Sequence, residues 1–598
     1  MFIKTTLATV VVATLSSTPL FAETDPEQAI IVTATRTAQT VDQSLASVTV
    51  INQQQIEKSQ AHTLEELLKN SAGITFSNNG GLGKQTSLFL RGTDDSHTLI
   101  MVDGVRMGSA TTGSTALQFI SLSQIEKIEI VRGPQSSLYG SDAIGGIVHI
   151  FTRQGSEGHH VQSSAGIGRY NTREYSLSFS GKEEGFHYST AVSRLSSDGF
   201  DALQDSEIDR DGYDNDAFSI QFGKEFSNNA SLSAYLQQSS GFTEFDGGYT
   251  NQTQFKQGSQ GIKAKMMPNE YWDMSLQIAN SIDENTNLHN GDDRGYINTK
   301  RQTASWQNDH SIGDNALLTL GIDHQSERVA SSTNYAVKER SYSGIFSQYQ
   351  AHLKNAQLSI GLREDNHSDF GKQHTGQINL GLNLNQSSRV TVNYGSAYKA
   401  PSFNDLYWPF VGNPDLESEQ SRAIEIGLKN NKSWGDWHVH AYRTKVDNLI
   451  AWREVAPFIW QPMNVDKALI KGLEMQITTH VAGFNISGNA NFIEPVNKTT
   501  NTLLPRRGKR SASISIAKQL GKLSTAIDIN GYSKRYDDVA NTTKLGGYGL
   551  VDVRVEAALN QNLSIKAKIS NLLDKKYQTA DGYNTAERAL FISIAFKN

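Results

Sequence analysis

The sequence predicts a membrane β protein, an antiparallel transmembrane barrel of roughly 22 strands with an N-terminal α+β plug in its lumen. Three observations predict it. The chain opens with an export signal, it alternates with period two from about residue 155 onward, and the segment between these two mixes short helices and strands.

The signal is expected over residues 1–22. Lys4 supplies the positive charge, Leu7 to Leu15 a short apolar core, and Pro19-Leu20-Phe21-Ala22 a cleavage region. The apolar stretch is far shorter than the ~20 residues that a spanning helix needs.

The alternation is plain in several places. Val390, Val392 and Tyr394 alternate with Thr391 and Asn393. Phe484, Ile486, Gly488, Ala490 and Phe492 alternate with Asn485, Ser487, Asn489 and Asn491. Ala512, Ile514 and Ile516 alternate with serines, and Leu563, Ile565, Ala567 and Ile569 with Ser564, Lys566 and Lys568. Such spacing sends the two sets to opposite faces of a strand. A β-sandwich in bulk water would show it, as would a barrel with lipid outside and a wet lumen inside. The number of segments and the export signal together favour the barrel. Residues 154–598, at ~9–11 residues per strand and about as many again for turns and loops, give roughly 20–24 strands. A lumen of that size is too wide for the barrel's own side chains to fill.

Residues 23–153 are expected to fill it. Leu64, Leu67 and Leu68 with Glu65, Glu66 and Lys69 read as an amphipathic helix. Ser123, Ile125, Glu126 and Ile128 read as a second one, ending before Arg132-Gly133-Pro134. Leu99 to Val102 and Ile147 to Phe151 read as strands, and Gln154-Gly155-Ser156-Glu157-Gly158 as the linker into the barrel.

Composition removes several functions. A formal net charge of −6 gives no basic excess for nucleic acid. The absence of cysteine removes disulfides, thiolate metal sites and cysteine nucleophiles. Gly83-Lys84-Gln85-Thr86 suggests a phosphate loop, but Asn78 and Gln85 stand where Gly and Ser or Thr are required. His159-His160 reads as solvated linker. No enzyme is expected.

Six short motifs carry a resemblance. Residues 28–36 (Gln-Ala-Ile-Ile-Val-Thr-Ala-Thr-Arg) resemble a coupling box. Phe89-Leu90-Arg91-Gly92, Val102-Asp103-Gly104-Val105-Arg106, Val131-Arg132-Gly133-Pro134 and Tyr139-Gly140-Ser141-Asp142-Ala143-Ile144-Gly145-Gly146 resemble plug motifs. With Asn571-Leu572-Leu573-Asp574-Lys575-Lys576-Tyr577 near the C-terminus, their order is similar to that of the TonB-dependent receptors of the bacterial outer membrane. Asn79-Gly80-Gly81, Gly199-Phe200-Asp201, Asp214-Asn215-Asp216, Tyr398-Lys399-Ala400-Pro401, Gly412-Asn413-Pro414-Asp415-Leu416, Tyr536-Asp537 and Gly582-Tyr583 resemble the branch of that family that imports cobalamin.

The resemblance implies a monomer in outer-membrane lipid that takes up cobalamin, with another corrinoid, haem or a ferric siderophore as alternatives. It implies TonB, with its inner-membrane energising complex, as the partner. The partner would engage Ile30, Ile31, Val32, Thr33 and Ala34. The tripeptide Ile30-Ile31-Val32 by itself fits an ordinary plug strand at least as well, but such a strand can also pair edge to edge with a partner.

One local feature remains. Asp201, Asp205, Glu207, Asp209, Asp211, Asp214 and Asp216 crowd one segment, and Asp246 follows in the next loop. Hard oxygen donors suit calcium. An EF-hand is excluded, because a loop beginning at Glu207 has Phe218 where a bidentate Glu is needed. A solvated acidic loop stays open. The resemblance implies calcium on Asp201, Asp214, Asp216 and Asp246, with Asn251 where a further carboxylate is expected. It also implies ligand contacts at Asn79, Thr112 and Ser114 on outward plug loops, and at Arg535 and Tyr536 on the wall. A turn Asn and a lumen-facing Arg are the plain alternatives.

Overall fold

The computed structural model describes residues 30–204, 208–227, 229–457 and 459–598. The export signal expected over residues 1–22 lies outside them. Among the described residues, 22 antiparallel strands form a closed barrel. It begins at Gly158–Gly168 and closes where that strand pairs with Ala589–Lys597, Ile167 opposite Ile592. Closure leaves no unpaired edge, a requirement in lipid, where no water can satisfy main-chain groups. The alternation falls as the sequence predicts: Ile424 and Ile426 are exposed on the outer face, while Glu425 between them is buried inside.

Turns such as Glu184-Gly185 and Ala482-Gly483 join the strands at one end, and segments such as 400–418, 533–547 and 571–588 join them at the other. In outer-membrane barrels the long-loop end faces outward. The coupling residues sit at the short-turn end, where Arg389 donates to the Asp42 carbonyl and Gln350 to Thr37.

The plug is a five-stranded sheet and a hairpin with short helices packed on them. The helix Leu64–Leu68 forms as expected, capped by Thr63, with all three leucines buried. The helix expected around Ser123 to Ile128 does not form. Leu122–Gln124 is one 3-10 turn, and Ile125–Arg132 is a strand between Ser47–Asn52 and Gly146–Thr152. A bulge between Ile125 and Lys127 explains the misreading. It turns both Ile125 and Ile128 into the core, so a strand displays a helix-like interval of three. The motif Val102-Asp103-Gly104-Val105 is a two-residue hairpin turn with φ of 49° at Asp103 and 85° at Gly104, the left-handed pair that such a turn demands.

Candidate functional site

At the outward end, the loop after the strand Phe186–Ser197 folds down onto the plug. Gly80 meets Ala202, Gly81 meets the Phe200 ring, and Gly83 (φ +78°) lies so close to Tyr213 that a Cβ there would stand 2.1 Å from the ring. Lys84 runs beneath the loop. Its ammonium donates to the carbonyls of Leu82 and Asp211 at 3.1 Å and of Gly212 at 3.3 Å, and burial pulls its pKa down to about 8. Sequence reasoning raised Lys84 only as a phosphate-loop lysine, although its place beside Gly83 was in view. Lys84→Ala is expected to cost about 1–3 kcal/mol of loop docking, read as faster protease cleavage between residues 198 and 212.

Above Lys84, the carboxylates of Asp201, Asp209, Asp211 and Asp246 come together, each offering an oxygen within 4.8 Å of the others. Asp211 and Asp246 also accept from the amides of Ala202 and Leu203, both at 2.7 Å. Burial, then the neighbouring carboxylates of Asp246 and Asp209, push Asp211 up to about 6. Four converging carboxylates offer hard oxygen donors of the kind calcium takes.

This grouping differs from the ligand set expected from the sequence. Asp201 and Asp246 belong to it, but Asp214 and Asp216 do not. On the strand Tyr213–Glu225, Tyr213 and Asn215 are buried inward, so the even-numbered residues point outward. There Arg194 bonds Asp214 and Asp216, each at 2.9 Å. Asp209 and Asp211 take their places. Asn251 is also elsewhere, exchanging hydrogen bonds with Asn290 on the next hairpin.

The expected ligand contacts separate as well. Thr112 is exposed on its loop, with Ser114 beside it and Asn79 half-buried on the other plug apex. Arg535 is buried, with its guanidinium donating to the Phe76 carbonyl and the Tyr548 hydroxyl, which makes it a tie between plug and wall. Tyr536 next to it is half-buried.

At the opposite end, Ile30–Ile31 pairs with Gln39–Thr40, and Ile31 is wholly buried among Ala34, Val41, Val48 and Val131. A carboxylate holds the next residues. Glu129 accepts from the Val32 amide at 3.1 Å, from the Thr33 amide at 2.9 Å and from the Thr33 hydroxyl at 2.6 Å. Burial would raise Glu129, but Lys127 and these donors hold it below its ordinary range. Burial lowers His149 to about 3, so its ring is neutral. Its Nε2 accepts from the Gly104 amide, which leaves Nδ1–H to donate to the Thr33 oxygen at 2.9 Å. Lys127 donates to the Ile30 carbonyl, and Arg36 reaches the wall at Asp323. Val32, Arg36 and Thr37 line a cavity of about 1060 Å³ between the plug and the wall. Glu129 and His149 were not singled out from the sequence, because a strand Glu and a strand His carry no local signature.

Residues 154–572 match the family model described as TonB dependent receptor-like, beta-barrel, and residues 40–147 match the TonB-dependent Receptor Plug Domain. The chain belongs to the TonB-dependent receptor family. It is therefore an outer-membrane transporter, and the family's partner is TonB. Among curated relatives, the vitamin B12 transporter BtuB of Photobacterium profundum is 32% identical, covering 99% of this chain and 100% of its own. That of Vibrio vulnificus is 30% identical, covering 93% and 92%. The ferric enterobactin receptor PfeA of Pseudomonas aeruginosa superposes with a TM-score of 0.81 at 18% identity, covering 95% of this chain and 100% of that one. The siderophore receptor PirA of Acinetobacter baumannii gives 0.80 at 17%, covering 92% and 98%. At those identities the likeness is one of fold.

Proposed function

We propose that this TonB-dependent receptor imports cobalamin. The observation that carries the reading is the end-to-end match, at 30–32% identity, to transporters named for vitamin B12. The ligand is held between the plug apices at Asn79 and at Thr112 and Ser114 and the outer loops. Ile30 to Ala34 form the coupling strand. TonB pulls on that strand and draws it off Glu129. Val32 of that segment, with Arg36 and Thr37 just beyond it, lines the 1060 Å³ cavity, so its removal widens the space on the periplasmic side of the plug.

Calcium is part of the proposal. Asp201, Asp209, Asp211 and Asp246 would hold it, and its charge would offset their mutual repulsion and fix the loop over the ligand. The test is equilibrium binding of labelled cobalamin to detergent-solubilised protein, with calcium or with chelator, against haem and a ferric siderophore. Tight binding that neither competitor displaces is expected, weakened roughly 5- to 150-fold by chelation, the usual range of coupling between two sites. Asp211→Asn is expected to reproduce the chelated state in the presence of calcium, and Asp216→Asn is not. Displacement by haem or the siderophore overturns the cargo. Calcium-independent affinity overturns the role of the cluster.

A further inference from the structure

Around most of the outward rim, cations on the lipid-facing side of the barrel sit beside carboxylates. Arg194 bonds Asp214 and Asp216. Lys256 faces Glu284 at 3.6 Å, Arg328 faces Glu339 at 3.2 Å, and Lys372 faces Glu364 at 2.7 Å. Arg173 and Lys300 are likewise exposed without an ion pair among the described residues, Lys300 opposite Arg328, but each stands singly, whereas one sector gathers several such cations. On the adjacent strands Glu419–Lys432, Gly435–Ala456, Ile459–Val481 and Arg510–Leu520, Arg422, Arg443, Lys445, Lys471 and Arg510 are all exposed on the outer face. The strand Phe484–Asn497 completes the wall between the last two.

The register brings these cations together. Arg422 lies opposite Lys445, Arg443 opposite Lys471, and Arg443 and Lys445 are two residues apart on one strand. Arg510 lies opposite Phe492, which in turn lies opposite Leu473, two residues along from Lys471. Only Lys445 has an ion-pair partner among the described residues, Asp447 at 2.8 Å. Glu494 stands opposite Lys471 in register without forming an ion pair. Among the described residues, these five cations thus face only Asp447 and Glu494 across the register.

Its height on the barrel is set by what lies below. On the periplasmic side of the cations the same outward faces carry Ile424, Ile426, Met475, Ile477 and Ile514, all exposed, as lipid-facing side chains are. The cations thus cap the apolar band at its outer margin, where the outer leaflet's head groups lie. Neighbouring strands are ~4.8 Å apart, so the sector spans ~20 Å.

We propose that this sector is a docking site for a phosphate-bearing glycolipid of the outer leaflet, of the lipid A class. Arginine forks match phosphate oxygens two at a time. The apolar ladder beneath takes acyl chains, which a free phosphate or an acidic peptide lacks. A second copy of the chain is a poor occupant, because a two-fold contact sets each patch against itself and brings like charges together.

The test uses the full-length protein in detergent with hexa-acylated lipid A as the probe, and counts retained lipid by native mass spectrometry. The wild type is expected to retain diphosphorylated lipid A and to release a dephosphorylated form. A variant carrying R422Q, R443Q, K471Q and R510Q is expected to lose at least about tenfold in retention, since each basic residue near an anionic lipid surface contributes appreciably. The comparison variant carries R194Q, K256Q, R328Q and K372Q, an equal loss of positive charge elsewhere on the rim, and is expected to retain lipid A like the wild type. Unchanged retention in the first variant overturns the proposal, as does equal loss in both. So does a concentration-dependent oligomer that the first variant abolishes. Heat-modifiable migration on gels confirms that each barrel has folded before it is compared.

Discussion

Ile31→Pro is expected to reduce energised uptake to background and to leave ligand binding unchanged. Ile31 belongs to the two-residue strand that pairs with Gln39–Thr40, and a strand that hands over to a partner must offer its own main-chain donors. Proline removes one of them. Losing one main-chain bond in a short strand costs about 1–3 kcal/mol, roughly a 5- to 150-fold loss in partner affinity. Under load that loss falls on the step that does the work. Proline also fills less of the pocket among Ala34, Val41, Val48 and Val131, a loss confined to the short-turn end, where Glu129 still holds Val32 and Thr33. The outward loops lie at the far end of the plug and keep their contacts. The measurement pairs cellular uptake of labelled cobalamin with equilibrium binding to the purified protein. Wild-type uptake would show that Ile30 to Ala34 are an ordinary plug strand. Loss of binding together with uptake would place the fault in folding.

The sequence made the barrel legible because each strand repeats one rule: apolar outward, polar inward. Val390, Val392 and Tyr394 state that rule locally, and no distant residue is needed to read it. Strand number followed from length for the same reason. The plug was harder. Its bulge at Ile125 gave a strand the interval of a helix, and only the two flanking strands show which it is. For the acidic loop, the carboxylates that converge are Asp201, Asp209, Asp211 and Asp246, of which the expected set shared Asp201 and Asp246. The alternation of Tyr213, Asn215 and Ala217 already implied that Asp214 and Asp216 face outward. The groups that hold plug to barrel were out of reach. Val32 meets Glu129 across 97 positions, and Arg91 meets Glu474 across 383. No periodicity spans such intervals.

That last contact carries the other large expected effect: Glu474→Ala is expected to loosen the plug by about 3–5 kcal/mol, the usual cost of leaving a buried charge without its partner. Arg91 is buried at the end of the plug strand Thr86–Leu90, held at a left-handed φ of 56° that aims its side chain at the wall. Its guanidinium forks onto Glu474 at 3.0 and 2.7 Å, reaches Glu425, and lies 4.2 Å over the Tyr442 ring. His440 bonds the other oxygen of Glu425 at 2.9 Å. Three consecutive barrel strands therefore converge on one plug residue. Removing Glu474 leaves Arg91 with Glu425 alone and leaves the space beside Gly73 empty. Glu474→Gln keeps the shape and one acceptor, and is expected to cost less. Removing the charges together, with Arg91→Met and both glutamates changed to Gln, is expected to restore part of the loss, because Arg91 then needs no counter-charge, while the buried Arg132 nearby keeps only the Ala72 carbonyl and the Thr49 hydroxyl. Protease resistance of the plug inside the folded barrel, followed against urea, reads all three. A Glu474→Ala protein within about 1 kcal/mol of wild type, or a triple variant worse than the single one, would show that the plug is held by its many neutral contacts and that the ion cluster sets only its orientation.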